Sequence, residues 1–143
     1  MAAQDLALLI GCLLPMSICI YTDFKNYILP NWLTAFIALG GLATALLFNR
    51  MPDALLGAVL AGGAFVITSF FGDIGGGDIK LAFGIGMWFG WHGGASVILL
   101  GCLLATVWSI PQMMKSGIRN VRVPLGAFLG IAAWAYVLAQ YLT

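Results

Sequence analysis

Two aspartates are the residues of this sequence best suited to acid–base chemistry. Asp23 ends the first apolar segment, and Asp78 lies in the glycine-rich stretch 75–80 (GGGDIK) before another. The chain has 143 residues, only 8% of them charged, and its five aspartates are its whole supply of side-chain carboxylates. Because charged groups between apolar segments are costly, these two indicate a functional role.

A pair of carboxyl groups that share a site partly stripped of water can catalyse hydrolysis together. Like-charge repulsion and desolvation keep one carboxyl protonated while the other stays ionised near neutral pH. The ionised group can take a proton from a water molecule that attacks a peptide carbonyl, and the protonated group can donate to the carbonyl oxygen. This is the chemistry of an aspartic protease, and it requires no metal and no cofactor.

Residue types and spacing leave other interpretations of the two aspartates open. As structural groups, Asp23 would mark a helix boundary, and Asp78 would be the N-cap of its helix or a member of an ion pair. Proton-coupled transport also uses intramembrane Asp and Lys residues. Lys80 lies about 200° around a helix from Asp78, so we expect it to snorkel or contact substrate instead of pairing with Asp78.

The segments that must position these aspartates are hydrophobic enough for a membrane. Mean hydropathy is +1.05 and 62% of the residues are hydrophobic, which leaves too little polar surface for a water-soluble globule. The formal charge of +1, without a basic cluster interleaved with aromatic residues, argues against a nucleic-acid partner. Cys12, Cys19 and Cys102 all lie in apolar runs and are interpreted as core residues.

Six apolar segments are predicted to cross the lipid bilayer: about 6–22, 31–48, 54–71, 78–91, 95–111 and 124–142. They lack strict alternation and therefore predict helices, not a barrel. The stretch 91–94 (WHGG) interrupts an apolar run of about 30 residues, which predicts a hairpin of two crossings. We expect an all-α membrane bundle of about six transmembrane helices, with residues 1–143 as a single domain. Glycine pairs at 86/90 and 126/130 indicate close helix packing.

The basic residues predict the orientation of the bundle. Five of the six fall in the first, third and fifth connections: Lys25, Lys80, Lys115, Arg119 and Arg122. Since cytoplasmic connections carry an excess of Lys and Arg, these connections are predicted to be cytoplasmic and both termini to lie on the outer side. Arg50, in the second connection, is the one basic residue on the predicted outer side. The fourth segment is short, so Asp78 is either submerged by roughly 9 Å or at the surface of a thinned bilayer.

Three stretches resemble those of one protein family. Residues 75–81 (GGGDIKL) resemble the Gly-x-Gly-Asp-x-Lys motif of the type IV prepilin peptidases, the bacterial branch of the membrane aspartic proteases that include presenilin. Residues 23–31 (DFKNYILPN) resemble the family's other signature, an Asp followed by a basic residue and then an apolar-Pro-Asn step. Residues 123–130 (VPLGAFLG) are similar to the Pro-containing start of the family's last helix.

The resemblance implies a membrane aspartic endopeptidase of the bacterial cytoplasmic membrane. Such an enzyme cleaves the leader peptides of prepilin or pseudopilin precursors of type IV pili, after a glycine, at the cytoplasmic face. Asp23 and Asp78 carry over as the catalytic pair, with supporting positions at Gly75, Gly77, Lys80, Lys25, Pro30 and Asn31. The sequence looks like the minimal peptidase domain of tight-adherence (Flp) systems. It has no paired Cys-x-x-Cys stretch like that of larger members, so we expect no methyltransferase activity.

Some assignments stay open beside this resemblance. A small proton-coupled transporter or channel component is the rival class, and an inactive scaffold that binds prepilin is a third. The basic residues beside the pair suggest that Lys25 or Lys80 pairs with an acidic residue of the substrate. Asp73 matches no motif position. His92 stands alone on the predicted outer side, so it is interpreted as a turn residue and no metal site is predicted.

Overall fold

The computed structural model describes residues 3–72, 75–117 and 123–143, and these are helices and short connections. The helices are α1 (Ala3–Asn26), α2 (Asn31–Leu47), α3 (Met51–Ser69), α4 (Gly76–Ser116) and α5 (Leu125–Leu142). All except α2, which is apolar but has 17 residues, are long and apolar enough to cross a membrane. The predicted all-α membrane bundle is confirmed. Asp73 and the basic loop beyond residue 117 lie outside the described residues.

Helix α4 contains two passes, because the chain reverses at Gly90. Its 41 residues are interrupted there by a non-helical conformation, with φ 73° and ψ −171°. A Cβ atom on Gly94 would lie 3.1 Å from the Cα of Gly86, whereas residues eight apart in a straight helix are separated by about 12 Å. The halves α4a (76–89) and α4b (91–116) therefore form the predicted hairpin. Gly90 is the turn itself, which corrects its interpretation as a helix-packing residue.

Arg50 and Asp53, at the start of α3, hold the two sides of this turn. The Arg50 guanidinium donates a hydrogen bond of 3.1 Å to the carbonyl of Trp88, at the end of α4a. The Asp53 carboxylate accepts one of 3.3 Å from the N–H of Trp91, at the start of α4b. A cation at a helix C-terminus and an anion at a helix N-terminus are both favoured by the helix dipole. This role explains why Arg50 lies apart from the other basic residues.

Trp88 fixes α4a between α1 and α2. Its side chain is 5% exposed, and its indole N–H donates a hydrogen bond of 2.7 Å to the carbonyl of Ile37. Cβ atoms on Gly11 and Gly40 would lie 2.7 Å and 3.0 Å from the indole ring. Glycine at these positions therefore makes the space that the ring fills, and the three helices pack closely around it.

The two signature stretches meet at one end of the bundle. Contacts of Ile37 with Gly84 and of Leu29 with Gly77 show that α2 runs parallel to α4a. A hydrogen bond between Asp23 and Ala127 brings the end of α1 to the start of α5. The end of α1 and the starts of α2, α4a and α5 therefore lie together, and the turn at Gly90 lies at the opposite end.

We expect Gly90→Ala to destabilise the fold. Alanine is strained at this φ and ψ, which costs about 1–3 kcal/mol, and its Cβ would overlap the Asp53 carboxylate. Gly63→Ala is the matched control, because nothing lies within 4 Å of the Cβ position of Gly63 inside α3. Thermal unfolding in detergent should show a lower midpoint for Gly90→Ala and an equal or higher one for Gly63→Ala. Equal midpoints for the two variants would contradict the strained turn.

Candidate active site

Asp23 lies in the last turn of α1 and is 5% exposed. Its Oδ2 accepts a hydrogen bond of 2.8 Å from the backbone N–H of Ala127, in the first turn of α5. The backbone N–H of Gly126 also interacts with this carboxylate. Tyr27 ends α1 in the left-handed conformation, with φ 55°, and donates its N–H to the carbonyl of Asp23 at 2.9 Å. The carboxylate is thus held by two helix ends that are far apart in sequence.

Asp78 lies in the first turn of α4a. The N-cap of this helix is Gly75, and no side-chain hydrogen bond caps it. The alternative in which Asp78 is the N-cap is therefore wrong. The carboxyl group of Asp78 interacts electrostatically with that of Asp23, and the backbone N–H of Gly126 faces it. The structure brings the two predicted residues to the same place.

The N-terminus of α5 lies against both carboxyl groups. The first N–H groups of a helix have no partner within the helix and carry the positive end of its dipole. Here the N–H of Gly126 faces Asp23 and Asp78, and that of Ala127 binds Asp23. These donors stabilise negative charge at a place where two carboxylates would otherwise repel each other.

Gly77 and Gly126 allow the chain to approach the carboxyl groups closely. A Cβ on Gly126 would lie 3.1 Å from Oδ2 of Asp23 and 2.7 Å from Cδ1 of Leu29. A Cβ on Gly77 would lie 2.9 Å from Cβ of Leu29, whereas one on Gly76 would meet nothing within 4 Å. Of these two neighbouring glycines, Gly77 is therefore the one that packing requires.

The basic residues of the two signatures contact other groups. Lys80 donates a hydrogen bond of 3.1 Å from Nζ to Oδ1 of Asn31, which joins one signature to the other. Lys25 Nζ lies 3.4 Å from the hydroxyl of Tyr21 and 5.6 Å from its ring centroid. In the described ranges Lys80 and Asp78 form no ion pair, as the helical spacing predicts.

Pro30 is the N-cap of α2, and its carbonyl accepts from the N–H groups of Leu33 and Thr34 at 3.2 Å. An extended conformation at Pro30 turns the chain from the end of α1 into α2. The apolar-Pro-Asn step of the first signature is thus the start of a helix. It returns the chain past Asp23 toward the start of α4a.

The two halves of α4 differ in length. Asp78 precedes Gly90 by 12 residues, or roughly 18 Å along α4a. From the same turn, α4b continues to Ser116, roughly 39 Å away. Because the hydrocarbon core of a bilayer is about 30 Å thick, α4b is long enough to span it and α4a alone is not.

An aromatic cluster lies beside the carboxyl groups. The rings of Phe24, Trp108 and Phe128 have centroid separations of 5.8 Å, 5.8 Å and 6.3 Å. Phe24 follows Asp23 in α1, and Phe128 follows Ala127 in α5. The cluster therefore fastens α4b to the two helix ends that hold the Asp23 carboxylate.

A polar cavity of about 230 Å³ lies at the other end of the bundle, beside the turn at Gly90, and neither Asp23 nor Asp78 lines it. Its lining includes Gln4, Asp5, Thr44, Arg50, Trp88 and Tyr136. His92 stacks its ring on that of Trp91 near the same turn, at a centroid distance of 3.5 Å. No group of three His, Cys, Asp or Glu side chains suited to a metal occurs in the part of the chain that the structure describes.

Sequence reasoning missed the donors of α5 and the contact of Leu29. Gly126 was assigned to helix packing, although Pro124 just before it is a recognisable helix start. The N–H groups that follow such a start are available to anions. That signal marks a possible anion site, but it does not indicate which carboxylate occupies it.

Comparisons with known proteins identify a family and several relatives. The model of the type IV leader peptidase family matches residues 7–110, which include Asp23 and Asp78 but end before α5. The prepilin leader peptidase/N-methyltransferase of Aeromonas salmonicida (strain A449) is 30% identical over 130 residues, covering 82% of this chain and 44% of that protein. The protein of that name from Stutzerimonas stutzeri is 33% identical over 154 residues, covering 95% and 50%.

The chain spans about half the length of the curated relatives it matches. No solved structure shows a significant match. The names of the relatives favour a peptidase over the transport alternative that the sequence left open.

We expect Gly77→Ala and Gly76→Ala to differ although the residues are neighbours. The alanine at position 77 would press against Leu29, and overpacking of this kind costs about 1–3 kcal/mol. The alanine at position 76 meets open space and should leave stability unchanged or slightly higher. Circular dichroism during heating would measure both midpoints. A Gly77→Ala protein as stable as Gly76→Ala would refute the close contact with Leu29.

Proposed function

We propose that this chain, which belongs to the type IV leader peptidase family, is a membrane aspartic endopeptidase that removes leader peptides from prepilin or pseudopilin precursors. The observation that carries the proposal is the meeting of Asp23, from α1, and Asp78, from α4a, at the N-terminus of α5. We assign the chain to the bacterial cytoplasmic membrane, with the carboxyl pair toward the cytoplasm. Residues 1–143 act as one peptidase domain.

The hydrogen bonds of the site indicate which carboxyl group is the general base and which is the general acid. Asp23 accepts a hydrogen bond from the backbone N–H of Ala127 and is faced by that of Gly126, and such donors favour the ionised form of a carboxyl group. Asp78 shares only the Gly126 donor and lies beside the charge of Asp23, which favours its protonated form. Asp23 is therefore the general base and Asp78 the general acid in our proposal.

Hydrolysis then proceeds in two steps. Asp23 takes a proton from a water molecule whose oxygen bonds to the scissile carbonyl carbon, while Asp78 donates its proton to the carbonyl oxygen. The resulting diol collapses when its C–N bond breaks. The amine nitrogen leaves with the proton held by Asp23, and a proton of the diol returns to Asp78. Both carboxyl groups end in their starting states.

The relatives carry two activities in their printed names, a leader peptidase and an N-methyltransferase. We propose only the peptidase for this chain. The support is that both aspartates lie within the residues that the family model matches. Lys25 and Lys80 lie at the same end of the bundle as the pair, where a charged part of a substrate can reach them.

Asp23→Asn and Asp78→Asn should each abolish cleavage of a prepilin substrate. Losing a general acid or base lowers a rate by about 100-fold to 10,000-fold. Asp5→Asn, at the other end of the bundle, is the control and should retain activity. The measurement is prepilin cleavage in membranes that contain equal amounts of each variant. Full activity in either pair variant would exclude the proposed mechanism.

The charged groups beside the pair give a second test of the proposal. If Lys25 or Lys80 pairs with an acidic residue of the substrate, a Lys→Gln change should lower kcat/KM by about 2-fold to 5-fold, as for an exposed ion pair. The loss should be smaller for a substrate in which that acidic residue is replaced by its amide. Unchanged cleavage by Lys25→Gln and Lys80→Gln would remove this contact from the proposal.

A further inference from the structure

The polar cavity beside the turn at Gly90 is enclosed by four helix ends. Its lining comes from the start of α1, the end of α2 with the connection after it, the end of α4a and the last turns of α5. Its volume of about 230 Å³ is room for about eight water molecules at roughly 30 Å³ each. A small polar group of similar size therefore fits inside it.

Arg50 supplies hydrogen-bond donors to this cavity. Its guanidinium carries several N–H groups in a planar fork, and Nη2 donates one hydrogen bond of 3.1 Å to the carbonyl of Trp88. Among the residues that the structure describes, no second acceptor takes a hydrogen bond from this side chain. Since Arg50 is partly buried and lines the cavity, its remaining N–H groups are available to an acceptor there.

Tyr136 adds a hydroxyl donor in a fixed position. Its oxygen accepts a hydrogen bond of 2.9 Å from the side-chain amide of Gln140, and a hydroxyl that accepts in this way still has its own proton to donate. The ring packs edge-on against Phe89 at a centroid separation of 5.6 Å, and the hydroxyl lies 3.0 Å from the Cβ position of Gly93. Within residues 3–72, 75–117 and 123–143, no acceptor binds that proton.

The charges of the lining restrict what this cavity can hold. Arg50 favours an anion, but Asp5 lines the same cavity and is joined to the end of α5 by a hydrogen bond with the hydroxyl of Tyr141. A ligand with two negative charges would be repelled by Asp5. A phosphodiester carries a single negative charge and is rich in acceptor oxygens, and arginine binds such groups through paired, charge-assisted hydrogen bonds.

The surroundings of the cavity favour a phosphodiester that belongs to a lipid. The cavity lies at an end of a membrane bundle, where the headgroups of phospholipids are found. Leu6 of α1, Leu47 of α2 and Leu142 of α5, at the same helix ends, are 49%, 78% and 85% exposed. Acyl chains can lie against these apolar side chains while the headgroup reaches into the cavity.

We propose that this cavity binds the phosphodiester headgroup of a phospholipid, with Arg50 and Tyr136 as its donors. The site lies at the opposite end of the bundle from the carboxyl pair, so the inference does not depend on the proposed peptidase function. Because the lining comes from α1, α2, α4a and α5, a bound headgroup joins four helix ends.

The test measures binding to the full chain in detergent by native mass spectrometry. The ligands are phosphatidylethanolamine, diacylglycerol with the same acyl chains, and glycerophosphoethanolamine, which keeps the phosphodiester but has no acyl chains. We expect phosphatidylethanolamine to bind at least about 10-fold more tightly than either of the others, since a hydrogen bond to a charged group contributes about that factor. Equal binding of diacylglycerol would overturn the phosphodiester site. Glycerophosphoethanolamine binding as tightly as the lipid would overturn the assignment to a lipid.

Two variants test the proposed donors. Tyr136→Phe removes one hydroxyl and should weaken phosphatidylethanolamine binding by about 10-fold. Arg50→Gln removes the cation and should weaken it by about 30-fold or more. Neither change should affect diacylglycerol binding. Because Arg50 also holds the Gly90 turn, Tyr136→Phe decides the test if Arg50→Gln does not fold.

Tyr21→Phe is the matched control. It removes the same hydroxyl from α1 at the other end of the bundle, where Tyr21 is 63% exposed, and it should bind phosphatidylethanolamine like the wild type. Wild-type affinity in Tyr136→Phe would overturn the inference. An equal loss of affinity in Tyr21→Phe and Tyr136→Phe would overturn it as well.

Discussion

Two carboxylates can lie together inside an apolar bundle only if something opposes their repulsion and their loss of water, and the N-terminus of α5 does so here. The N–H of Ala127 binds Asp23, and that of Gly126 faces both carboxyl groups. In a medium of low polarity such bonds are stronger than in water. These hydrogen bonds require the start of α5 to approach the Asp23 carboxylate closely, and glycine at position 126 leaves room for that approach. The aromatic cluster joins α4b to the start of α5 beside it.

The packing of the bundle toward the Gly90 turn relies on glycine. Lipid tails are as apolar as leucine, so helices in a membrane associate through close van der Waals contact and hydrogen bonds. A Cβ on Gly57 would overlap the carbonyl of Gly86, so α3 and α4a touch through their backbones. The indole of Trp88 occupies the room left by other glycines and adds a buried hydrogen bond. This close packing keeps α4a, and with it Asp78, at a fixed distance from α1.

The sequence predicted the features that local patterns record. Apolar runs indicated the crossings, the interruption at residues 91–94 indicated the hairpin, and basic residues grouped the end of α1 and the start of α4a on one side. The bond between Asp23 and Ala127 joins residues 104 apart in sequence, and no periodicity encodes it. The same holds for Leu29 between two glycines and for Arg50 at the end of α4a, since each depends on which helices become neighbours.

The unequal halves of α4 have a further consequence. Because α4a is so much shorter than α4b, α4b extends roughly 20 Å beyond the level of the carboxyl pair. In the proposed function, a substrate cut where an apolar segment meets a polar one yields products that prefer different phases. The apolar part remains dissolved in lipid while the polar part departs into water, and this partition opposes rejoining of the two ends.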